Sequence, residues 1–181
     1  MWKRNIPNVL SVIRLLMIPI FVYVYMSDIE NRTYISLGIY ALAWFTDVLD
    51  GYLARRNNWI TEVGKILDPL ADKLMQFVAV ICLVITGKLS YPVVIVVFFK
   101  ELLMLIGATL VARKKKAVAP SNWFGKLATF VLFVAVSVLI MVESPDGALV
   151  MAMNILIVAS EIFALVMYAM KFIEIFREKG K

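Results

Sequence analysis

The stretch DVLDGYLARRNNWITEVGKILDPLAD, residues 47–72, places four aspartates in a chain that is otherwise mostly apolar. Asp47 and Asp50 are three residues apart, and Asp68 and Asp72 are four apart. On an α-helix those spacings share a face, so each pair projects from one side of its helix. Loop 55–65 joins the two segments and the second runs back along the first, which brings both pairs to the same end. The four carboxylates read as one site.

Outward from this stretch the chain reads as an integral membrane protein. Of its 181 residues, 62% are hydrophobic, too many for a soluble domain of this length. A hydrocarbon core of about 30 Å is crossed by a helix rising about 1.5 Å per residue. Runs that long fall at 7–27, 34–54, 66–87, 91–112, 124–142 and 148–170. The expectation is an all-α bundle of six transmembrane helices forming a single domain over residues 1–181. The first run carries Arg14 and lacks a small-residue cleavage site, so it reads as a mature helix, not a signal peptide. The connections are short and polar. The acidic cluster has no counterpart on the fifth and sixth helices, which weighs against the inverted repeats of many transporters.

Of the 19 Lys and Arg residues, 14 lie in the N-terminus, loop 55–65, segment 113–126 and the tail from Lys171. By the positive-inside rule this places both termini in the cytoplasm. The net charge of +6 is thereby a matter of topology, and the run RKKK at 113–116 suits anionic lipid headgroups. Nothing points to nucleic acid. The chain has no histidine, so imidazole acid/base chemistry and imidazole metal ligation are excluded. Its one cysteine, Cys82, sits in an apolar run and reads as packing.

A charged aspartate at membrane depth costs about 2.5–3.5 kcal/mol, and four approach about 10 kcal/mol, as much as the stability of a whole domain. Such a cluster needs counter-charge. Arg55, Arg56, Lys65 and Lys73 supply part of it. Clustered carboxylates without His or Cys are hard oxygen ligands, suited to Mg2+, Mn2+ or Ca2+, and two ions fit if one aspartate bridges them. Ordinary helix-end acids would explain one aspartate better than four in two helical pairs. Gly51 and Ala54 leave room for a close approach beside Asp50. Gly64 serves the turn into the third helix, and Pro69 opens or bends that helix.

Taken in order, Asp47, two residues, Asp50, Gly51, two residues, Ala54, Arg55, eight residues, Gly64, three residues, Asp68, three residues and Asp72 resemble the full signature of the CDP-alcohol phosphatidyltransferases. The opening NIPNVLSVIRLLMIP is similar to the first helix of the family's phosphatidylglycerophosphate synthase and cardiolipin synthase branches. The resemblance implies a six-helix, homodimeric enzyme of the bacterial plasma membrane with a polar cavity open to the cytosolic side. It implies transfer of a phosphatidyl group from CDP-diacylglycerol to an alcohol, with release of CMP. Asp47, Asp50, Asp68 and Asp72 would hold two Mg2+ (or Mn2+) ions, and Asp72 would also take the acceptor's proton. Gly51, Ala54, Arg55 and Gly64 would bind CDP-diacylglycerol. These roles agree with charge: a pyrophosphate ester cannot approach bare carboxylates, and Arg55 offers phosphate a forked contact.

The resemblance implies glycerol 3-phosphate or phosphatidylglycerol as the acceptor. Arg14, Lys100, Arg113 and Lys126 are the acceptor-binding candidates. KELLMLIGATLVAR and SNWFGKLATF resemble the acceptor segments of phosphatidylglycerophosphate synthases, with Glu101, Gly125, Lys126 and Thr129 matching. Lys100 stands where those enzymes carry Arg, while Ala108 and Ala128 replace cations. Overall likeness puts glycerol 3-phosphate first, with cardiolipin synthesis as the alternative. A divalent-metal transporter is the rival from another class. Lys100 and Glu101, as neighbours on a helix, are expected to find separate partners. Arg14 calls for an anionic ligand or a carboxylate, Glu161 being one candidate.

Overall fold

The computed structural model describes residues 6–57, 64–115 and 123–177, with side chains at 8–52, 56–57, 64, 67–107 and 123–173. All regular structure among them is helical: α1 (Ile6–Met26), α2 (Arg32–Asn57), α3 (Gly64–Ile85), α4 (Tyr91–Lys115), α5 (Trp123–Met141) and α6 (Gly147–Arg177). Each coincides with one expected run. The largest difference is α6, which continues past 170 because the charged tail still lacks any helix breaker as far as Arg177.

By length and composition α1, α5 and α6 are apolar enough to cross a membrane, over Asn8–Met26, Trp123–Met141 and Gly147–Ile173. The other three have 26, 22 and 25 residues, each at least about 33 Å of helix. Their sequences are interrupted by charge: the aspartates in α2 and α3, and Lys100, Glu101 and the Arg113 cluster in α4.

Contacts divide the chain into two compact units, Met1–Thr86 with Val136–Ser144, and Gly87–Ala135 with Pro145–Lys181. In the first, α1 packs extensively along both α2 and α3, which touch each other far less. The packing buries several polar and charged groups among apolar ones and leaves many large apolar side chains exposed. The buried stripe of α1 contains Ser11, Arg14, Met17, Phe21 and Val24, while Val12, Ile13, Leu16 and Ile20 are exposed. On α2 the buried stripe is Thr33, Ser36, Tyr40, Ala43 and Asp50, against exposed Tyr34, Leu42, Phe45 and Leu49. Both stripes recur at three and four residues, the helical period. Polar groups turned inward and apolar groups outward suit a lipid surround. Fully buried Ala71 and Ala79 on α3 allow close helix approach.

The end of the unit away from the aspartates is tied by Tyr25 Oη and Thr86 Oγ1, 3.1 Å apart, and by Thr33 donating to Glu143 Oε1 at 3.1 Å. Beyond the end of α3, Gly87 takes a positive φ of 72°, the left-handed conformation in which glycine meets no Cβ penalty. Pro69 is the sixth residue of α3, and Pro19 lies within α1.

In the second unit α4 packs on α6, with Val93, Val97 and Lys100 buried on α4 and Ile157, Glu161 and Ala164 on α6. Asp146 caps α6 by accepting the Leu149 N–H at 2.7 Å. The start of α5 meets α6 through Phe124 and Tyr168, whose rings stand edge to face with centroids 4.6 Å apart. A Cβ on Gly125 would lie 2.3 Å from Tyr168 Oη, and one on Gly107 would lie 2.3 Å from Phe172 Cε2, so these glycines permit the aromatic packing.

Candidate active site

In the first unit a cation supplied by α1 holds two of the four aspartates. Arg14 Nη1 donates to Asp47 Oδ1 at 2.8 Å, and Nη2 donates to Asp50 Oδ2 at 2.6 Å. Because Asp47 and Asp50 are three apart on α2, one planar guanidinium reaches both. The Arg14 side chain is 1% exposed and Asp50 2%, while Asp47 remains 34% exposed. One turn earlier on the same face of α1, the Ser11 hydroxyl donates to Asp68 Oδ1. One turn beyond Asp72 on α3, Gln76 Nε2 donates to Asp72 Oδ1 at 2.9 Å, and Lys73 Nζ lies 3.6 Å from Asp72 Oδ2. Across the two helices, Asp47 lies within electrostatic reach of Asp72, and Asp50 within that of Asp68.

Arg14's partners correct one expectation. Its carboxylates are Asp47 and Asp50, and Glu161 pairs elsewhere. The partner of a buried arginine is set by which helices pack together, and α1 packs on α2. Ser11 and Gln76 are site residues that sequence reasoning passed over. Their signal was helical phase: Ser11 shares Arg14's face and Gln76 shares Asp72's.

Beside these groups is a cavity of about 10 Å³ lined by Arg14, Tyr40, Trp44, Asp72, Met75 and Gln76. That is room for one water-sized group. The Arg14 Nε–H is buried with no acceptor among the protein's described residues.

The donor set suits a hard divalent cation in kind, since it consists of four carboxylates with no histidine in the chain. Set against Arg14 and Lys73, the four acids leave two negative charges (four minus two). In this arrangement no three acids draw together as a cation cage among the described residues. The guanidinium of Arg14 takes oxygens of two of them.

The other expected site residues are placed as follows. Gly51 is half-buried beside Asp50, and Gly64 is buried as the first residue of α3. The side chains of Ala54, Arg55 and Arg113 lie outside the described residues. Lys100 and Lys126 belong to the second unit, where Lys126 is exposed. Lys100 is 2% exposed and ion-paired to Glu101 Oε1 at 2.6 Å and to Glu161 Oε2 at 2.8 Å. The expectation of separate partners for Lys100 and Glu101 is therefore corrected. Their Cβ atoms diverge, but the long lysine stem swings back to its neighbour, and the wholly buried Glu161 supplies the second contact.

Fold and site define a helical membrane protein in which an arginine of the first helix is paired with two aspartates of the second. The family model of the CDP-alcohol phosphatidyltransferases matches residues 4–171, and the chain belongs to that family. It is 34% identical over 140 residues to a probable phosphatidylglycerophosphate synthase of Mycobacterium tuberculosis, covering 76% of this chain and 66% of the relative. It is 33% identical over 153 residues to a CDP-diacylglycerol–glycerol-3-phosphate 3-phosphatidyltransferase of Bacillus subtilis, covering 78% and 79%. The protein of that name from Haemophilus influenzae is 32% identical over 130 residues, 70% of each chain.

Proposed function

We infer that this chain transfers a phosphatidyl group from CDP-diacylglycerol to glycerol 3-phosphate, giving phosphatidylglycerophosphate and CMP. The observation that carries the reading is the convergence of Asp47 and Asp50 on Arg14, with Asp68 held by Ser11 of the same helix as Arg14. The names and coverage of the relatives support the substrate pair.

Asp47, Asp50, Asp68 and Asp72 would hold Mg2+ or Mn2+. Such ions neutralise the pyrophosphate and the departing CMP. Asp72 is the carboxylate available to accept the proton of the attacking hydroxyl, and Gln76 fixes the orientation of that carboxylate. Gly51, Ala54, Arg55 and Gly64 form the nucleotide side of the site, with Arg55 offering its fork to phosphate. Arg113 and Lys126 are cations for the acceptor's phosphate. The basic residues of loop 55–65 support a cytoplasmic placement of the site, and the lengths of α2, α3 and α4 support six spans. A homodimer is part of the same reading.

One observation favours a second acceptor. Lys100 is enclosed by Glu101 and Glu161, so one cation expected to grip glycerol 3-phosphate is already engaged. Phosphatidylglycerol, carrying less charge, depends less on it. The test offers purified protein CDP-diacylglycerol with either acceptor and identifies the lipid. Phosphatidylglycerophosphate with stoichiometric CMP is expected, and cardiolipin in its place would overturn the acceptor. EDTA is expected to abolish CMP release and Mg2+ or Mn2+ to restore it, whereas turnover indifferent to chelation would remove the metal from the reading.

A further inference from the structure

Arg14 has three features that an ordinary structural arginine does not combine. It is 1% exposed, so its charge demands partners, and both partners are aspartates of the proposed cation site. A carboxylate oxygen committed to a guanidinium fork directs its lone pairs at nitrogen and is withdrawn from a cation. Its Nε–H is also buried with no protein acceptor among the described residues, on a side chain that lines the cavity shared with Asp72 and Gln76. Buried donors are normally satisfied by protein or by water, and the cavity beside this one has room for a single water-sized group. Ser11, a turn away on α1, holds Asp68 in the same manner. One face of α1 thus engages three of the four acids.

We propose that Arg14 is a positioning residue that serves as the counter-charge of Asp47 and Asp50 when no divalent cation is bound, and that it competes with cations for those two carboxylates. This rests on the reading of the aspartates as cation ligands. Arg14 keeps the pair counter-charged and preformed on α2 while the site is unloaded, and loading requires it to give up the carboxylate oxygens at 2.8 and 2.6 Å. The apparent cation affinity is lowered by the fraction of molecules in which Arg14 holds the pair.

The test uses full-length protein in detergent with no lipid substrate. Mn2+ binding is followed by loss of the free-ion paramagnetic resonance signal, and thermal unfolding is followed with and without Mg2+. Arg14→Gln is expected to lower the half-saturating Mn2+ concentration about tenfold. It should also lower Tm without cation and give a larger Mg2+-induced rise in Tm than the wild type. A purely structural arginine would lower Tm and leave the Mn2+ midpoint where it was, or weaken it, and either result in folded Arg14→Gln overturns the proposal. Should that variant not fold, Arg14→Lys decides, because it keeps the charge but loses the fork. Tighter Mn2+ binding than wild type supports competition, and equal or weaker binding overturns it. A wild type that binds no Mn2+ would instead overturn the cation assignment itself.

Discussion

Gln76 Nε2 donates a 2.9 Å hydrogen bond to Asp72 Oδ1 from one turn further along α3. Gln76 is buried, so the bond fixes which carboxylate oxygen of Asp72 remains for the substrate or a cation. Gln76→Met keeps the side chain's length and removes the donor. Removing a partner that orients a site carboxylate costs about 10- to 100-fold in metal affinity or activity. CMP release is therefore expected to fall within that range, mainly in kcat, with little change in KM for CDP-diacylglycerol. Asp72→Asn should abolish release in a folded protein, and adding Gln76→Met to it should cost nothing more. A folded Gln76→Met with wild-type kcat would show that Asp72 acts without its neighbour's help.

Asp50 and Arg14 form the most buried charge pair of the first unit. Removing one partner of such a pair strands the other and costs about 3–5 kcal/mol, whereas replacing both by apolar groups is close to neutral. Asp50→Leu leaves Arg14 with Asp47 as its remaining carboxylate, so it is expected to destabilise the protein by less than that amount, and Arg14→Met/Asp50→Leu to recover part of the loss. Asp47, at 34% exposure, keeps enough solvent to tolerate losing Arg14. Both variants should be inactive. Chemical denaturation in detergent reads the stability, and a double variant no more stable than Asp50→Leu would contradict the pairwise account.

The helices and the acidic site were legible because both depend on local period. Apolar runs announced the six helices, and spacings of three and four announced that Asp47 with Asp50, and Asp68 with Asp72, share faces. What the sequence does not display is which helix packs against which. Arg14's choice of Asp47 and Asp50 over Glu161 follows from α1 lying along α2, a tertiary fact with no local signal. Ser11 and Gln76 were overlooked because a lone serine or glutamine in an apolar helix has nothing to distinguish it until a carboxylate is placed opposite. Lys100 and Glu101 show the limit of reasoning from Cβ directions, since a four-carbon stem crosses an angle that a short side chain cannot.

Lys100 sits between two carboxylates, and this makes its role separable. As a buried counter-charge it holds Glu101 and Glu161, so Lys100→Met should cost about 3–5 kcal/mol of stability. Lys100→Met/Glu161→Gln should regain part of that loss. Lys100→Arg keeps the charge, and KM for glycerol 3-phosphate is expected to stay at the wild-type value in it. A raised KM with unchanged stability would show Lys100 reaching the acceptor directly.

Gly125 belongs to the segment in which Lys126 is a candidate acceptor ligand, yet its geometry gives it a packing role. A Cβ there would stand 2.3 Å from Tyr168 Oη and 3.1 Å from Tyr168 Cζ, so the phenol oxygen is the principal obstruction. Overpacking of this kind costs about 1–3 kcal/mol, partly offset by the roughly 1 kcal/mol by which alanine exceeds glycine as a helix former. Gly125→Ala is accordingly expected to destabilise modestly. Deleting the hydroxyl with Tyr168→Phe removes the closest atom and leaves contacts that a small ring shift relieves, so Gly125→Ala/Tyr168→Phe should be more stable than the two single effects summed. The coupling is read from thermal unfolding of wild type, both single variants and the double, with CMP release measured in parallel. Additive single effects would mean that α5 and α6 adjust without cost, and loss of glycerol 3-phosphate affinity in a stable Gly125→Ala would move this glycine from packing to the acceptor site.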